Sequence, residues 1–460
     1  MSYINLEILI GKAESLKGLT VRDLLKEKDF DKGKGAIGNI IEREGFGIAN
    51  NNDARPDFEE LGIELKVLPL KKNAKGDYSV KERTKVCSIN YKELIKENWK
   101  GSHARYKLDK ILFIFYYYDK EDNYNSEILD YLLFHLENSD EPLIKSDWER
   151  TRGLVEEGQA HLLSESQNVV LAASRSGAGK LEEKNWPDQP NQLFSKKARQ
   201  RAFSLKPSFT KVLWSELKNK DAYDQISKKT EYSTYQELEN IILGKLNKWE
   251  GKSLKEFAIF YDLQMNSSKN AAATIVRTAL GFQGKNKPVK EIEQLGLIVK
   301  MTPCRKKDNF PYESMSFPFQ PLGEIKDELR FDESEFYTYL QGFLIIPIYR
   351  KNRKEKDLDK MVFGKSIIYR PSKDDLLGIQ KEWELINKTI NNGILINKKA
   401  FNNRKGFIQE NNLPKESETK YIHMRPHARN SDDIDKSLID ISLTKQCFWF
   451  NKKMIQKIIS

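Results

Sequence analysis

The hydrophobic residues of the chain recur with two periods, and each period predicts a different element. Segment 37–41, IGNII, has its isoleucines at the spacing of one helix face. Segment 63–67, IELKV, alternates apolar and charged residues, which predicts a strand with one buried face. The dense apolar and aromatic run 110–118, KILFIFYYY, predicts a strand buried on both faces. A helix, two strands and further helices favour an α/β or α+β domain, with a mixed sheet flanked by helices.

A faint internal duplication runs through the chain. The segment after Glu7, ILIGKAESLKGLTVRDLL, is similar to ENIILGKLNKWEGKSLKEFA, which begins at Glu239. In both segments a hydroxyl residue, Thr20 or Ser253, precedes an acidic residue by three positions. That spacing predicts a capping box at the start of a helix in each copy.

Two later pairs of segments keep the same order. FEELGIELKVLP from Phe58 resembles IEQLGLIVKMTP from Ile292, and DWERTRGLVEEG from Asp147 resembles EWELINKTINNG from Glu382. The separation between partners changes only from 233 to 235 residues along the chain. Such a period is far too long for a solenoid, so we interpret the chain as two copies of one domain.

The predicted domain boundaries follow from this duplication. The first copy is expected to span 1–220 and the second 235–460, with the polar stretch 221–234 as the linker. The length of 460 residues agrees with two large domains. Each copy is long enough to bury a sizeable core.

The charge balance points to a class of partner. The chain has 78 basic and 67 acidic residues, a formal net charge of +11. This basic excess favours a polyanionic partner, most often nucleic acid, and the alternative is a merely soluble basic protein. Hydrophobic residues make up 39% of the sequence, which excludes wholesale disorder.

The cysteines and the termini bear on the compartment. Cys87, Cys304 and Cys447 lie far apart, which excludes a disulfide framework and a CxxC-type zinc site and fits a reducing cytoplasm. No apolar run approaches the roughly 20 residues of a membrane span. The N-terminal segment carries the acidic Glu7 and lacks the shape of a signal peptide. We therefore expect a cytoplasmic protein without a membrane partner.

The candidate chemistry lies in the segment PDFEELGIELK, which contains Asp57, Glu64 and Lys66. Residues 64 and 66 of a strand point to the same face, and Asp57 lies on the approach to that strand. Two carboxylates suit a hard divalent cation such as Mg²⁺. A neighbouring lysine can orient a water molecule and offset charge on a phosphate. Together these groups are the parts of a metal-dependent phosphodiesterase.

Each of these residues also has an ordinary interpretation. In a chain this charged, the spacing of Asp57, Glu64 and Lys66 is expected about once or twice by chance. The alternative is a solvated strand edge with a surface ion pair. Glu42 shares a helical stripe with small glycines that allow a ligand to approach, but it also fits a solvated helix acid. Lys107 in SHARYKLDK fits a solvated loop lysine.

The three blocks GAIGNIIE, PDFEELGIELKVLP and SHARYKLDKILFI resemble the MutH family of the PD-(D/E)xK nuclease superfamily. The whole chain is most similar to the two-domain, GATC-cutting type II restriction enzymes, which carry two MutH-like copies. The resemblance implies two tandem restriction-endonuclease folds and Mg²⁺-dependent cleavage of duplex DNA 5′ of the G in GATC. It implies catalytic Asp57, Glu64 and Lys66, with the two carboxylates as metal ligands, supported by Glu42 and Lys107. We expect Lys107 to contact the scissile phosphate.

The second copy departs from this pattern. The two copies are aligned on the LG pair at 295–296. In this alignment Glu42 corresponds to Arg277, Asp57 to Glu291, Glu64 to Ile298 and Lys66 to Lys300, and Lys107 corresponds to a residue near Tyr339. An isoleucine in place of a carboxylate removes a ligand that Mg²⁺ needs. We therefore expect the second copy not to cut.

The DNA-reading segments of the second copy look intact. HMRPHAR at 423–429 resembles the Arg-Pro recognition segment of the family, and FWFNKK at 448–453 resembles its aromatic and two-lysine segment. The expected DNA contacts, by residue type, are Arg425, His427, Arg429, Trp449, Lys452 and Lys453. His423 and His427 are interpreted as two loop histidines, because no third metal ligand is near them in sequence.

The corresponding segments of the first copy are weaker. ASRSG at 173–177 lacks the Arg-Pro pair, and RQRAFSLK at 199–206 has Ser204 where the family often has an aromatic residue. The basic residues of the second segment, Arg199, Arg201 and Lys206, are predicted DNA contacts, against the alternative of a solvated charge run. Catalysis is thus expected in the first copy and clearer recognition in the second.

The leading hypothesis is a type II restriction endonuclease. The alternatives are a non-cleaving sequence-specific DNA-binding protein and a mismatch-repair-type nickase. The intact catalytic set argues against the first alternative. Two copies in one chain mimic a dimer and suit a two-fold symmetric site, which argues against the second. We expect the chain to be a monomeric pseudo-dimer that dimerises on DNA. We expect it to use a second DNA site as an effector.

Overall fold

The protein was analysed as a computed structural model. The structure describes residues 3–25, 35–48, 55–72, 76–80, 82–138, 141–176, 198–226, 232–264, 271–283, 287–400, 407–430, 432–438 and 443–460. The chain divides into two compact units. The first unit comprises residues 1–238 together with 287–295, and the second comprises 239–286 and 296–460.

The elements of the first half of the chain form the first unit. Its helices are α1 Leu6–Leu16, α2 Val21–Leu25, α3 Ala36–Ile40, α4 Tyr91–Leu94, α5 His103–Leu108, α6 Glu141–Glu156 and α7 Pro207–Lys218. Its strands are β1 Glu64–Lys72, β2 Tyr78–Val80, β3 Thr84–Ser88, β4 Lys110–Tyr117, β5 Glu127–His135, β6 Leu171–Arg175 and β7 Arg201–Leu205.

The second half contributes the remaining elements. Its helices are α8 Tyr235–Asn247, α9 Leu254–Phe260, α10 Ala271–Ala279, α11 Lys290–Gln294, α12 Leu322–Asp327, α13 Glu335–Thr338, α14 Lys373–Asn391 and α15 Lys452–Ile459. Its longer strands are β8 Ile298–Cys304, β10 Phe343–Tyr349, β13 Ile396–Ala400, β14 Phe407–Asn411, β15 Ile422–Pro426 and β18 Gln446–Phe450. The short strands are β9 Met315–Ser316, β11 Val362–Phe363, β12 Ile367–Tyr369, β16 Ile434–Asp435 and β17 Leu443–Thr444. Helix α11 belongs to the first unit.

Each unit is built around a mixed sheet. In the first unit the strand order is β2-β1-β4-β5, with β1 and β4 parallel and the outer pairs antiparallel. In the second unit β8 and β10 are parallel, and β11 and β12 pair with β10 in antiparallel orientation. A smaller antiparallel sheet completes each unit, β3-β7-β6 in the first and β15-β18-β9 in the second. The predicted mixed α/β architecture is confirmed.

The central strands agree with the sequence pattern. Strand β4 covers most of the apolar run, and its interior residues Leu112 and Phe113, which point to opposite faces, are both fully buried. The capping boxes are also present. Asp23 accepts the Thr20 backbone N–H at 2.8 Å, and the Glu256 carboxylate accepts the Ser253 N–H at 2.6 Å. The two copies thus begin their early helices with the same local chemistry.

One prediction about β1 needs correction. We expected a strand with a single buried face, but Glu64 is only 4% exposed although it points away from Leu65, which is also buried. Leu68 and Leu70 lie on the same face as Glu64 and are also buried, so both faces of this inner strand are covered. Parallel strands of this kind are covered on both faces.

The structure bears on the predictions about the cysteines and about membrane-spanning segments. Cys87, Cys304 and Cys447 are free and buried. Among the residues that the structure describes, no helix is both long enough and apolar enough to cross a bilayer.

Candidate functional site

A tight turn returns Asp57 to the start of β1. Phe58 and Ile63 form a bridge across this turn, and Gly62 between them has a positive φ of 62°, which glycine adopts without strain. As a result the Asp57 carboxylate accepts a hydrogen bond from the Leu65 backbone N–H at 2.9 Å. Asp57 therefore lies beside the first residues of the strand, as its place in the sequence suggested.

Both oxygens of the Glu64 carboxylate contact lysine ammonium groups. Lys66 Nζ lies 2.6 Å from Oε1, and Lys107 Nζ lies 2.8 Å from Oε2. Lys107 is 6% exposed and also donates to the Arg55 carbonyl at 2.6 Å. The alternatives of a surface ion pair and of a solvated loop lysine are wrong, because Glu64 and Lys107 are both buried.

Glu42 approaches the same place from the helical side. It lies on a single π-helical turn, Ile41–Gly45, that continues α3. Such turns are rare and are frequently found at functional sites. The pKa of Glu42 is raised to about 7, chiefly by burial and then by the negative charges of Asp57 and Glu64, against the opposing charge of Lys66. Glu42 is therefore within electrostatic reach of the strand residues, unlike an ordinary solvated helix acid.

Asp57 shares this electrostatic environment. Its pKa is raised, first by burial and then by the charge of Glu64, while the Leu65 N–H and the two lysines oppose the shift. The structure thus brings together all five residues that the sequence singled out here. Asp57, Glu64 and the two lysine ammonium groups lie together at the start of β1, and the Glu42 carboxyl group is within electrostatic reach of them.

The donor set can be compared with the needs of a metal ion. Within the described ranges, no group of three or more histidine, cysteine or acidic side chains is close enough to hold a metal. Magnesium, however, is commonly bound through one or two carboxylates, with water and substrate phosphate completing the shell. Asp57 and Glu64 are hard oxygen donors, so the residues fit a hard divalent cation.

The second copy has the same strand register with different side chains. In the first unit Glu64 pairs with Ile111 at the start of the parallel strands, and in the second Ile298 pairs with Phe343 at the same point. An apolar side chain therefore takes the place of Glu64. Lys300, the counterpart of Lys66, donates to the Ser316 carbonyl at 2.7 Å, and burial lowers its pKa.

The other counterparts also differ in chemistry. Arg277 lies on α10 and is buried, and Tyr339 follows α13. Glu291 lies on α11 and accepts the Ile226 backbone N–H with both oxygens at 3.0 Å. Ile298 and Arg277 in place of carboxylates leave the second copy without the acidic cluster of the first.

The recognition residues of the second copy gather around Trp449. The Arg425 guanidinium lies 5.1 Å from the Trp449 ring centroid, and the His427 ring lies 5.2 Å from it. Arg425, Trp449 and Lys452 line one cavity of about 300 Å³ together with Tyr312, Glu313, Ser314 and Arg353. An arginine stacked on an aromatic face and beside a lysine is suited to contact bases and phosphates.

The other predicted contacts of this copy are placed differently. Lys453 lines a second cavity, which it shares with Lys452, Lys415 and Glu416. Arg429 is exposed in the turn after β15. His423 was expected in a loop but lies on β15, where it is buried and its Nδ1 is 2.5 Å from Asn451 Oδ1. The strand pairing with β18 brings this histidine into the interior.

The matching strands of the first copy lack these groups. In both copies a five-residue strand is followed by one residue and then a helix, at β7-Lys206-α7 and at β18-Asn451-α15. On this register Ser174 and Ser204 stand at the positions of Arg425 and Trp449. Their hydroxyl oxygens are 2.6 Å apart, and both side chains are buried.

The predicted DNA contacts of the first copy divide in two. Lys206 is buried, and its ammonium group donates to the Asn168 carbonyl, so its placement contradicts a role in contacting DNA. Arg199 and Arg201 are partly exposed, and the Arg201 guanidinium donates to the Ala173 carbonyl at 2.8 Å. Gly177, the last residue of the segment compared with the Arg-Pro motif, lies outside the described residues.

Sequence reasoning missed the residues that complete the second-copy cavity. Tyr312, Glu313 and Ser314 come from the segment between β8 and β9, and Arg353 comes from the loop after β10. The signal that was available for Arg353 is the basic run RKNRKEK at 350–356.

Comparison with known proteins gives two kinds of match. The family model of the DNA mismatch repair enzyme MutH matches residues 46–147 and again 280–382. The chain is 29% identical to the type II restriction enzyme Sau3AI of Staphylococcus aureus, over 99% of this chain and 98% of that enzyme.

Other relatives match part of the chain. The DNA mismatch repair protein MutH of Vibrio cholerae serotype O1 is 29% identical over 35% of this chain and 75% of its own length. The MutH protein of Shewanella woodyi is 28% identical over 45% of this chain and 90% of its own length. The repeated family match agrees with the duplication seen in the sequence.

Proposed function

The chain is a site-specific deoxyribonuclease with two MutH-like domains, and from this premise we propose that it is a type II restriction endonuclease. It makes magnesium-dependent double-strand cuts in duplex DNA, 5′ of the G in GATC. The observation that carries the proposal is the cluster of Glu42, Asp57, Glu64 and Lys66 at the start of β1. The end-to-end match to a restriction enzyme favours this function over a repair nickase.

Asp57 and Glu64 are the residues that hold the metal in this proposal. When bound, Mg²⁺ supplies positive charge that stabilises the transition state and lowers the pKa of a bound water. Glu64 is held in place by its two ammonium partners. Asp57 is fixed by the Leu65 N–H. Glu42 adds a third carboxylate beside them.

Lys66 is the group that assists the attacking water. Hydrolysis forms a bond between the water oxygen and phosphorus and breaks one P–O ester bond. The Lys66 ammonium, 2.6 Å from Glu64 and on the same strand face, can orient that water and offset charge on the phosphate. Lys107 is buried and joins Glu64 to the Arg55 carbonyl. We therefore assign it to positioning Glu64 and the Asp57 turn, in place of the phosphate contact expected from sequence.

Recognition is proposed for the second copy. Arg425, Trp449 and Lys452 line one cavity, and arginine is the side chain that most often reads guanine. His427, Arg429 and Lys453 extend this set. In the first copy we retain Arg199 and Arg201 as DNA contacts. The chain acts in the cytoplasm on duplex DNA, as a pseudo-dimer that can pair on DNA and use a second site as effector.

The proposal is tested by mapping the ends that the enzyme leaves. Plasmid DNA is incubated with the full chain, with and without Mg²⁺, and the fragment ends are sequenced. We expect cutting only with the metal, and four-base 5′ GATC overhangs at every end. Blunt ends, another overhang sequence or equal cutting in EDTA would overturn it.

A further inference from the structure

The loop that follows β10 in the second copy is strongly basic. Residues 350–356, RKNRKEK, contain five basic residues and one acidic residue. The four basic side chains beyond Arg350, namely Lys351, Arg353, Lys354 and Lys356, are all exposed. The loop therefore presents a concentrated positive charge to solvent.

The two acids at the end of this loop, Glu355 and Asp357, do not pair with its lysines. The Glu355 carboxylate accepts the backbone N–H groups of Lys356 and Asp357, both at 3.1 Å. The Asp357 carboxylate pairs with Lys360 at 3.0 Å. Glu355 therefore stabilises the turn and Asp357 pairs outside the basic run, so the lysine ammonium groups of the loop remain exposed to solvent.

The fold does not require a basic loop at this point. Strand β4 ends at Tyr117 opposite Leu70, and strand β10 ends at Tyr349 opposite Cys304, so the two loops begin at the same position. Where the second copy has Lys351, Arg353 and Lys354, the first copy has Asp119, Glu121 and Asp122. The same turn therefore carries opposite charge in the two copies, which points to a function of the charge.

Arg353 connects this loop to the recognition residues. Its guanidinium lines the same cavity as Arg425, Trp449 and Lys452. There it donates to the Glu313 carboxylate, with Nε at 3.1 Å and Nη2 at 2.9 Å. Both side chains are more than half exposed, and exposed ion pairs exchange partners readily.

Resting on the proposed function, we infer that loop 350–356 and the cavity of Arg425 and Trp449 form one continuous DNA-binding surface. In it the loop binds backbone phosphates next to the bases that Arg425 and Trp449 contact. Glu313 holds Arg353 in the free protein and gives way to a phosphate in the complex. Because phosphate contacts carry no sequence information, the loop adds affinity and orientation for any duplex.

The test measures metal-free binding by the full chain to a GATC duplex and to a scrambled duplex over a range of salt. The triple variant Lys351→Ala/Arg353→Ala/Lys354→Ala should bind both duplexes at least tenfold more weakly at low salt. The slope of its plot of log affinity against log salt concentration should be smaller in magnitude by about two to three, about one for each lost phosphate contact. Glu313→Gln should bind both duplexes several-fold more tightly, because Arg353 is released.

A matched control removes the same charge elsewhere in the unit. Lys373, Lys381 and Lys388 are exposed on α14, and their triple alanine variant should bind within about twofold of wild type. A loop variant that binds like this control, or a Glu313→Gln chain that binds no better than wild type, would overturn the inference. Should the loop triple fail to fold, Arg353→Gln and Glu313→Gln decide it by the same readout. The proposed function itself fails only if the wild-type chain neither cuts with Mg²⁺ nor prefers the GATC duplex.

Discussion

Asp147 and Glu382 occupy the same position in the two copies and make the same three hydrogen bonds. The Asp147 carboxylate accepts the N–H groups of residues 169, 170 and 171, which lead into β6. The Glu382 carboxylate accepts those of residues 420, 421 and 422, which lead into β15. In both copies an acidic residue at the same helix position therefore holds the start of the recognition strand. The residues of the two strands can be compared position by position. At these strands the two copies share the backbone arrangement and differ in the side chains that they display.

The first prediction concerns Arg425. Replacing it by alanine should reduce the preference for a GATC duplex over a scrambled duplex by about 10- to 100-fold, the cost of one bidentate base contact. Competition binding without metal measures this ratio. Ser174→Ala changes the matching position of the first copy and should leave the ratio as it is. Equal loss of preference in both variants would contradict the division of recognition between the copies.

The second prediction concerns pH and Glu42. Its pKa is raised from 4.5 to about 7, chiefly by burial, so the folded chain binds this proton more tightly than the unfolded chain. The stabilising contribution is complete below about pH 4.5 and is lost as the pH rises through about 7. In EDTA, Glu42→Gln should therefore match wild type near pH 4. At pH 8 it should be more stable, by at most about 3 kcal/mol.

Urea denaturation at the two pH values checks this sign. Addition of Mg²⁺ at pH 8 should stabilise wild type more than the variant, because the metal compensates the crowded carboxylates. A stability difference that grows toward low pH would show that Glu42 is not held in the environment described.

The third prediction concerns Lys107. Lys107→Met leaves the buried Glu64 carboxylate with one ammonium partner, and we expect a loss of about 3 kcal/mol in the free energy of unfolding. Adding Glu64→Gln should restore much of that stability, because the uncompensated charge is gone. Cleavage should be lost in both variants. If the double variant were no more stable than the single one, Lys107 would not act through Glu64.

Local sequence spacing was enough to predict part of the site. Glu64 and Lys66 are two residues apart on a strand, so their contact follows from strand geometry alone. Asp57 reaches the same point through a short turn closed at Gly62. The alignment of Ile298 with Glu64 was also readable from sequence, because the duplication preserves the strand.

Contacts between distant segments were not predictable in the same way. Lys107 was expected at the scissile phosphate and Lys206 was expected to contact DNA, yet both ammonium groups are buried and donate to backbone carbonyls. His423 lies on a strand because β15 pairs with β18, which is separated from it by a long stretch of chain. The pairing of Arg353 with Glu313 likewise depends on how two loops meet.

The most direct measurement compares two lysines at the same strand position of the two copies. Lys66→Met and Lys300→Met are each assayed for Mg²⁺-dependent cleavage of a GATC plasmid and for metal-free DNA binding. Lys66 contacts the acidic cluster, whereas Lys300, on the strand that begins with Ile298, donates to the Ser316 carbonyl. We predict that Lys66→Met binds DNA but loses cleavage by at least a thousandfold, on the order of one general acid–base contribution, and that Lys300→Met still cuts. Cleavage at the wild-type rate by Lys66→Met, or equal loss in both variants, would contradict the assignment of catalysis to the first copy.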